Sequence, residues 1–303
     1  MVFDETDARL TWVNDIMPFV FRRAKAQLHP TTVFIGGQPA AGKTSGQELA
    51  RNLHQDITPI VGDDYRQYHP DYKRLLEENP LHMPEVTAEL AGVWTGMCVK
   101  HADEYGYPII IEGTWRNPAT VLDEAERCKR LGRTTHAIIV ATPPLVSRAG
   151  MIDRYCSSLI AGEAARWTPP DHHDKVVEAL CRNVPMIAGS DLIDRFTVTD
   201  RSGRIIADSA TARNVVEAWR QRFDAVPTFE EQQEIHNAIN LAHQCETMMD
   251  PDDYDRLRET IDEVNNQLFG QVSRAYMEHE QFRGKWVQKR RKDGSYAPGG
   301  HWG

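Results

Sequence analysis

The stretch GGQPAAGKTS, residues 36–45, limits the folds open to this chain more than any other segment. It follows the apolar run TTVFI and fits the pattern G-x-x-x-x-G-K-[ST], with Gly37, Gly42, Lys43 and Thr44 in the required places. The alternative is a glycine-rich turn that binds nothing, but the position between a predicted strand and a predicted helix favours a phosphate-binding loop. The sequence therefore predicts a strand, a P-loop and a helix in that order.

The residue types in this loop suit the triphosphate chain of a nucleotide. Glycines allow successive backbone N–H groups, and the positive end of the next helix, to face one concavity. Lys43 can reach the β- and γ-phosphates, and the Thr44 hydroxyl can ligate Mg²⁺. We expect ATP or GTP with Mg²⁺ here, although no motif that reads the base is evident. The expected nucleotide-binding residues are Gly37, Gln38, Pro39, Ala40, Ala41, Gly42, Lys43, Thr44 and Ser45.

The pattern of apolar residues predicts an α/β fold. Buried-type strands alternate with helices, which indicates a mostly parallel central sheet covered by helices on both faces. Ligands bind such sheets beyond the carboxyl ends of the strands, so we expect the segments GQPAAGKT, DDYR and EGTWR to meet at one edge. Strands are predicted at 32–36, 58–64, 107–115 and 134–142, a hairpin at 194–208, and helices at 5–28, 43–55, 83–106, 118–132, 143–160, 170–188 and 210–223.

The character of the sequence changes near residue 226, which suggests three parts. Residues 1–225 form the predicted α/β domain, and residues 226–282 form a charged, helical extension without strands. Residues 283–303 form a basic, glycine-rich tail that we expect to be flexible. Within the extension, Asp250 as an N-cap and Pro251 at the first helical position predict the start of a second helix.

Composition excludes several classes of protein. The net charge of −9 argues against a general nucleic-acid-binding surface, but local arginines can still bind a small anion. Five scattered cysteines without paired spacing favour neither a disulfide framework nor a zinc site. No apolar run approaches the ~20 residues of a membrane span, and the N-terminus is acidic where a secretory signal is basic. We therefore expect a cytoplasmic protein with no membrane or nucleic-acid partner.

A phosphotransferase also needs a group that orients the acceptor hydroxyl, and two acidic segments are candidates. Asp63 and Asp64 end the strand predicted at 58–64, where one carboxylate could orient the hydroxyl and the other could stabilise a helix N-terminus. Glu112 and Thr114 follow three consecutive isoleucines, residues 109–111. With Arg116 they could hold a substrate, and Glu112 could alternatively hold a hydrated Mg²⁺ ion. An ordinary turn after a strand is the alternative for this second segment.

Positive charge must follow the transferred phosphoryl group, and two arginines flank a predicted lid. Arg154 and Arg166 border the segment DRYCSSLIAGEAARW, and a guanidinium group suits phosphoryl oxygens. Composition alone favours the alternative, that both are solvated surface arginines.

Taken in order, these motifs resemble the zeta toxin family, the P-loop kinases of bacterial toxin–antitoxin systems. The resemblance spans about residues 30–205 and depends on GGQPAAGKT, DDYRQYHPDY, IIIEGTWR and DRY…ARWTP. It implies a P-loop kinase fold and gives the role of catalytic base to Asp63 rather than Asp64. It implies phosphate contacts by Lys43, Arg154 and Arg166, and substrate contacts by Asp63, Glu112, Thr114 and Arg116.

The resemblance also implies a substrate and a partner. Zeta-like enzymes phosphorylate the 3′-hydroxyl of the N-acetylglucosamine unit of UDP-N-acetylglucosamine, but Gly96 stands here where the family usually has an acidic residue. A kinase of another nucleotide, a dinucleotide or an antibiotic remains an alternative, as does a non-enzymatic NTP-binding switch. A helical antitoxin is the implied partner, either a separate protein or residues 226–282 acting in cis. A packing or oligomerisation role for these residues is the equal alternative.

Overall fold

The computed structural model describes residues 5–78, 83–163, 165, 167–209, 212–249 and 251–291. The strands are β1 (Thr31–Gly36), β2 (Thr58–Ile60), β3 (Ile109–Gly113), β4 (Thr134–Val140), β5 (Arg195–Thr199) and β6 (Ile205–Ser209). The α-helices are α1 (Glu5–Thr11), α2 (Met17–Val20), α3 (Lys43–Leu53), α4 (Tyr72–Glu78), α5 (Met83–Val86), α6 (Ala88–Tyr105), α7 (Pro118–Arg130), α8 (Pro144–Ile160), α9 (Pro170–Ala188), α10 (Ala212–Phe223), α11 (Phe229–Cys245) and α12 (Pro251–Arg291). A π-helical turn, Trp12–Ile16, and 3₁₀ helices at Gly62–Tyr68 and Glu246–Met248 complete the elements.

The strands form one six-stranded sheet in the order β2-β3-β1-β4-β5-β6. All neighbouring pairs are parallel except β5 and β6, which form the predicted antiparallel hairpin. Because β1, β2 and β3 run parallel as neighbours, the P-loop, the DDYR segment and the EGTWR turn all follow carboxyl ends at one edge. The α/β fold and this convergence of loops were both predicted from the sequence, and the structure confirms them.

Several predicted boundaries were wrong, each for a local reason. The strand predicted at 58–64 ends at Ile60, and Asp63 and Asp64 lie in the first turn of the 3₁₀ helix, where carboxylates complement the helix dipole. The helix predicted at 5–28 ends at Val20, since Gln27 instead bonds to the carbonyl oxygens of Gly106 and Gln55. The helix predicted at 83–106 is interrupted at Thr87, whose hydroxyl bonds to the Met83 carbonyl oxygen.

Apolar residues on both faces of the sheet account for its position at the centre of the molecule. One cluster packs β1, β4 and β5 against α7, α9 and α10, and it includes Phe34, Ile139 and Trp219. On the other face, Val33, Ile35 and Ile138 pack with residues of α3. A continuous run of buried, mostly apolar residues along β1 and β4 is the pattern expected of parallel strands that are covered on both sides.

The end of β1 lies directly against the EGTWR turn. Trp115 is 4% exposed and has a φ of 54°, a value uncommon for a residue other than glycine. A Cβ atom added to Gly36 would lie 2.2 to 2.6 Å from atoms of the Trp115 ring. Asn183 of α9 holds the same turn, because its side-chain amide donates to the carbonyl oxygens of Trp115 and Arg116 at 2.8 and 2.9 Å.

We expect Gly36→Ala to lower the free energy of unfolding by about 3 kcal/mol, since the added Cβ would overlap the Trp115 ring and force it to shift. The matched control is Gly92→Ala on α6, where an added Cβ meets no atom within 4 Å. That control should leave stability unchanged or raise it by ~0.5–1 kcal/mol, because alanine favours a helix interior. Urea denaturation of both variants measures the difference, and equal midpoints would contradict the close approach.

Two histidines, His136, which is buried, and His54, which is half-buried, form a pair between α3 and the sheet. His136 on β4 is 1% exposed, and its Nδ1 lies 2.9 Å from Nε2 of His54. Its Nε2 lies 2.7 Å from the Thr197 hydroxyl, which in turn donates to Asp208. Burial, and then the positive charges that His54 and Arg195 can carry, lower the pKa of His136 from 6.5 to about 3. The folded protein therefore holds this ring neutral.

The stability contributed by this neutral ring is expected to decrease as the pH falls. The folded pKa is depressed, so the unfolded chain binds the proton more readily, and stability is complete above about pH 6.5 and declines as pH falls toward 3. The slope from this group is about 1.4 kcal/mol per pH unit below its unfolded pKa. Denaturation of wild type and His136→Gln between pH 7.5 and 4.5 measures it, and parallel pH profiles would contradict the assignment.

The C-terminal helices α11 and α12 pack on α8. They enclose an apolar cluster that includes Leu145, Val146 and Ile152 of α8, Ile235 of α11 and Leu257 of α12. The start of α11 carries a capping box, in which Thr228 and Glu231 exchange side-chain to backbone hydrogen bonds. We refer to the buried apolar residues that α8, α11 and α12 share as the C-terminal cluster.

The domain boundaries predicted from the sequence fall within this region. The break before α12 agrees with Pro251 as its first residue, while the predicted N-cap Asp250 lies outside the described residues. Helix α12 runs past the predicted boundary at 282 to Arg291, so residues 283–291 are helical, and the remainder of the predicted tail lies outside the described residues. In the described ranges, no helix has the length and hydropathy needed to cross a membrane.

Candidate active site

The P-loop curls through backbone conformations that only some residues adopt. Gly42 has a φ of 93°, and a Cβ there would lie 2.8 Å from the Arg201 carbonyl oxygen. Ala40 has a φ of 58°. Lys43, the first residue of α3, donates from Nζ to the carbonyl oxygens of Gly37 and Gln38 at 3.3 and 3.2 Å. The lysine ammonium group therefore lies across the loop, where it could meet phosphate oxygens.

The end of β3 brings a carboxylate to this lysine. Glu112 Oε1 lies 4.0 Å from Lys43 Nζ, and both side chains are largely buried. Gln47, one turn after Lys43 on α3, donates to Glu112 Oε2 at 2.5 Å. The register of β1 and β3 explains the contact, since Ile35 just before the P-loop pairs with Glu112. This ion pair joins the P-loop to the EGTWR turn, as the sequence predicted.

The two aspartates of the DDYR segment have different surroundings. Asp63 accepts from Arg66 Nε at 2.8 Å, and its side chain is 53% exposed. Arg66 is itself anchored, because it also donates to the Pro84 carbonyl oxygen and the Thr87 hydroxyl. The pKa of Asp64 is raised by burial and then by the nearby carboxylates of Glu112 and Asp63. The DDYR segment thus places acidic groups next to Glu112.

A cavity of about 650 Å³ opens beside Glu112 between α6 and α7. Its lining includes Thr114 and Arg116, which the resemblance implies are substrate-binding residues, and Gly96 and Lys100 of α6. A Cβ on Gly96 would meet no atom within 4 Å, so the cavity wall is open at this position. Within the described ranges, Lys100 and Arg116 have no carboxylate partner. The cavity could hold an anionic acceptor molecule.

The predicted lid is described only in part. Arg154 lies on α8 and donates from Nη2 to the Thr168 hydroxyl at 2.9 Å. Arg166, the second arginine predicted to contact phosphate, lies outside the described residues.

Two residues beside the P-loop were missed by sequence reasoning. Gln47 follows Lys43 by four residues, so helical spacing could have placed it on the same face of α3. Arg201, in the turn between β5 and β6, donates to the Ala40 carbonyl oxygen and lies 3.5 Å from Glu234 of α11. No local pattern marks Arg201, because its partners lie far away in the sequence.

The residues present fit a magnesium nucleotide. Thr44 occupies the first turn of α3, directly after Lys43, at the helix end where backbone N–H groups have no helical partner. The curled loop, the lysine and this hydroxyl could hold the phosphates and the ion together.

Comparisons with known proteins identify the family of this chain. The sequence profile of the zeta toxin family matches residues 20–211, which is more than half of the chain. Toxin PezT of Streptococcus pneumoniae serotype 4 is 30% identical over 190 residues, covering 62% of this chain and 75% of the relative. Toxin zeta of Streptococcus pyogenes is 27% identical over 194 residues, covering 63% and 67%.

A solved structure agrees at the level of the fold. It comes from the PezAT chromosomal toxin–antitoxin system of Streptococcus pneumoniae and superposes with a TM-score of 0.70 at 22% identity. The match covers 80% of this chain and 97% of that chain, and it confirms the predicted P-loop kinase fold. The sequence-derived resemblance is confirmed: this chain belongs to the zeta toxin family, and it is a kinase of that type.

Proposed function

We propose that this protein transfers the γ-phosphoryl group of ATP or GTP to a hydroxyl of a sugar nucleotide, and that UDP-N-acetylglucosamine is the acceptor. The observation that carries the proposal is the juxtaposition of Lys43, in the P-loop, with Glu112, which lines the 650 Å³ cavity. A donor on the loop and an acceptor in the cavity would meet at that point. The cavity volume suits a molecule of this size.

In this mechanism the protein acts mainly by position and charge. Residues 37–45 bind the phosphates of the donor, and Lys43 with Arg154 and Arg166 balances charge on the γ-phosphoryl oxygens. Thr44 would hold Mg²⁺, which when bound would neutralise charge on the phosphates. Asp63 orients the acceptor hydroxyl and takes its proton as the new O–P bond forms and the bond from the γ-phosphorus to the β-phosphate oxygen breaks, which releases ADP or GDP. Glu112, Thr114 and Arg116 bind the acceptor.

The toxic role and the partner belong to the same proposal. Phosphorylation of a cell-wall precursor would deplete it and stop growth. The PezAT relative belongs to a toxin–antitoxin system, and we propose that a helical antitoxin restrains this chain as well. We propose that α11 and α12 have a packing role, because these two helices bury one side of α8. Residues 1–225 and the extension 226–282 would then form one unit.

A metabolite screen tests this function. Full-length protein is incubated with γ-labelled ATP or GTP and a bacterial metabolite extract, and the labelled product is identified by mass spectrometry. We expect UDP-N-acetylglucosamine phosphate, with Lys43→Met as the inactive control. A labelled dinucleotide, nucleoside or antibiotic would move the proposal to another acceptor. Phosphate release without any labelled metabolite would instead favour an NTP-binding switch.

Lys100, which lines the cavity on the same helix as Gly96, leads to a further prediction about the acceptor. Lys100 lines the cavity without a carboxylate partner in the described ranges, so Lys100→Glu should raise the KM for an anionic acceptor by ~10-fold or more, because it reverses a charge at the binding surface. The KM for the nucleotide should change little. Lys73→Glu, on α4 and away from the cavity, is the matched control, and equal KM values for the two variants would exclude a role for Lys100 in acceptor binding.

A further inference from the structure

A row of buried polar contacts runs behind the P-loop. Gln38 is completely buried, and its Nε2 donates to the Thr142 carbonyl oxygen at 2.7 Å and to the Ser147 hydroxyl oxygen at 3.1 Å. Ser147 Oγ lies 2.8 Å from Nε2 of His173 on α9. His173 Nδ1 lies 3.0 Å from Asp174 Oδ1. These contacts connect the side chain of a P-loop residue to two helices, α8 and α9.

The direction of the hydrogen bonds follows from the charge states. Burial tends to raise the pKa of Asp174, but hydrogen bonds from Arg148 and His173 lower it on balance, so this carboxylate only accepts. Burial lowers the pKa of His173, so the ring is neutral and its one proton lies on Nδ1. Nε2 then accepts from the Ser147 hydroxyl, whose oxygen accepts from Gln38. The longer contact from Ser147 to the Pro144 carbonyl oxygen, 3.0 Å, is the second acceptor available to this hydroxyl.

This order of groups is the one found in Ser-His-Asp hydrolases, but the burial excludes that chemistry. Ser147 and His173 are both 0% exposed, so no substrate can reach the hydroxyl. A buried chain in which each group donates to the next is instead a rigid support, since the polarisation of each bond strengthens its neighbours.

The chain continues to the C-terminal helices. Arg148 of α8 donates from Nη2 to Asp174 and from Nη1 to Glu263 of α12 at 2.7 Å. The Arg148 side chain is 7% exposed, whereas the two carboxylates are more than half exposed. A buried guanidinium group needs such partners, because its desolvation is otherwise uncompensated. Glu263 thereby joins α12 to the same row of contacts that ends at Gln38.

We infer that Ser147, His173 and Asp174 are positioning residues that hold the P-loop in its nucleotide-binding shape through Gln38, and that Glu263 of α12 completes this support. The inference rests on the proposed function only in that the P-loop binds a nucleotide. Gln38 is well placed for this, because its backbone carbonyl oxygen also accepts a hydrogen bond from Lys43 Nζ at 3.2 Å. A fixed Gln38 therefore fixes both the loop backbone and its lysine, and a preorganised loop binds phosphate more tightly.

The test is direct binding of ATP and of GTP by calorimetry, without any acceptor. We expect Ser147→Ala to weaken binding ~10-fold, the effect of one buried hydrogen bond. Asp174→Ala should weaken it ~3–10-fold, while Asp174→Asn, which keeps an oxygen for the His173 proton but turns an amide NH2 group toward Arg148, should weaken it by no more than ~2-fold. Glu263→Gln should weaken binding ~2–3-fold, and Asp262→Asn, on the same helix, is the matched control.

The outcomes separate this inference from the proposed function. Wild-type protein that binds neither nucleotide would overturn both. Wild-type binding with unchanged affinity in the folded Asp174→Ala and Glu263→Gln variants would overturn the inference alone. A merely structural row of contacts would lower the melting temperature of both Asp174 variants without separating their nucleotide affinities. The exposed Asp174 and Glu263 keep the test decisive if Ser147→Ala does not fold.

Discussion

Replacing Asp63 with asparagine is expected to lower the rate of phosphoryl transfer by at least ~10³-fold, while nucleotide affinity stays within about threefold of the wild-type value. Asparagine has almost the same shape, but it cannot take a proton from the acceptor hydroxyl. The carboxylate is more than half exposed, so an acceptor can reach it, and the contact with Arg66 holds it in place. Single-turnover transfer from labelled ATP to the acceptor identified by the screen measures the rate.

Asp64→Asn is the matched control, since it removes an adjacent carboxylate of the same segment. Its expected effect on the rate is ~10-fold or less, because the neighbouring carboxylate remains as the base. Burial, and then the carboxylates of Glu112 and Asp63, raise the pKa of Asp64, so removing this charge also relieves repulsion among the three groups. A variant pair in which Asp64→Asn is inactive and Asp63→Asn is active would transfer the role of base to Asp64.

The parts of the fold that the sequence predicted are those fixed by neighbours along the chain. The P-loop was recognised because its glycines, Lys43 and Thr44 lie within eight residues, between an apolar strand and a helix. The meeting of the P-loop with the EGTWR turn followed from parallel strands alone. Local pattern could not place the aspartates, since the apolar run 57–61 gives no sign of the 3₁₀ helix that begins at Gly62.

Contacts between distant segments account for what the sequence did not reveal. Trp115 packs on Gly36 across 79 residues, a distance along the chain over which no periodicity carries information. Gln38 meets Ser147 and Thr142 more than 100 residues later. His173 lies behind the P-loop only because of how α9 packs against α8, and no local pattern in the sequence marks that place. The phosphate loop is thus encoded locally, whereas its support is encoded by packing.

Deleting residues 226–303 is expected to unfold the protein rather than release its activity. The deletion would expose Leu145, Val146 and Ile152 of α8, which pack against α11 and α12 in the C-terminal cluster. At roughly 1.5–3 kcal/mol for each large apolar side chain, the loss is about 5–9 kcal/mol, comparable with the whole stability of a typical domain. Arg148 would also lose Glu263, one of its two carboxylate partners.

A protein ending at residue 275 is the matched control, because it keeps every buried member of the C-terminal cluster, the last of which is Leu268. Thermal unfolding and ATP affinity of the two truncated proteins decide the role of α11 and α12. We expect the protein ending at 275 to melt near the wild-type temperature and the one ending at 225 to be aggregated or molten. A folded protein ending at 225 with higher transfer activity would instead identify α11 and α12 as a cis-acting inhibitor. We expect the protein ending at 225 to lose its fold because α11 and α12 pack against α8, the helix that carries Arg154. An inhibitor that can leave its site should not be needed for the folding of that helix.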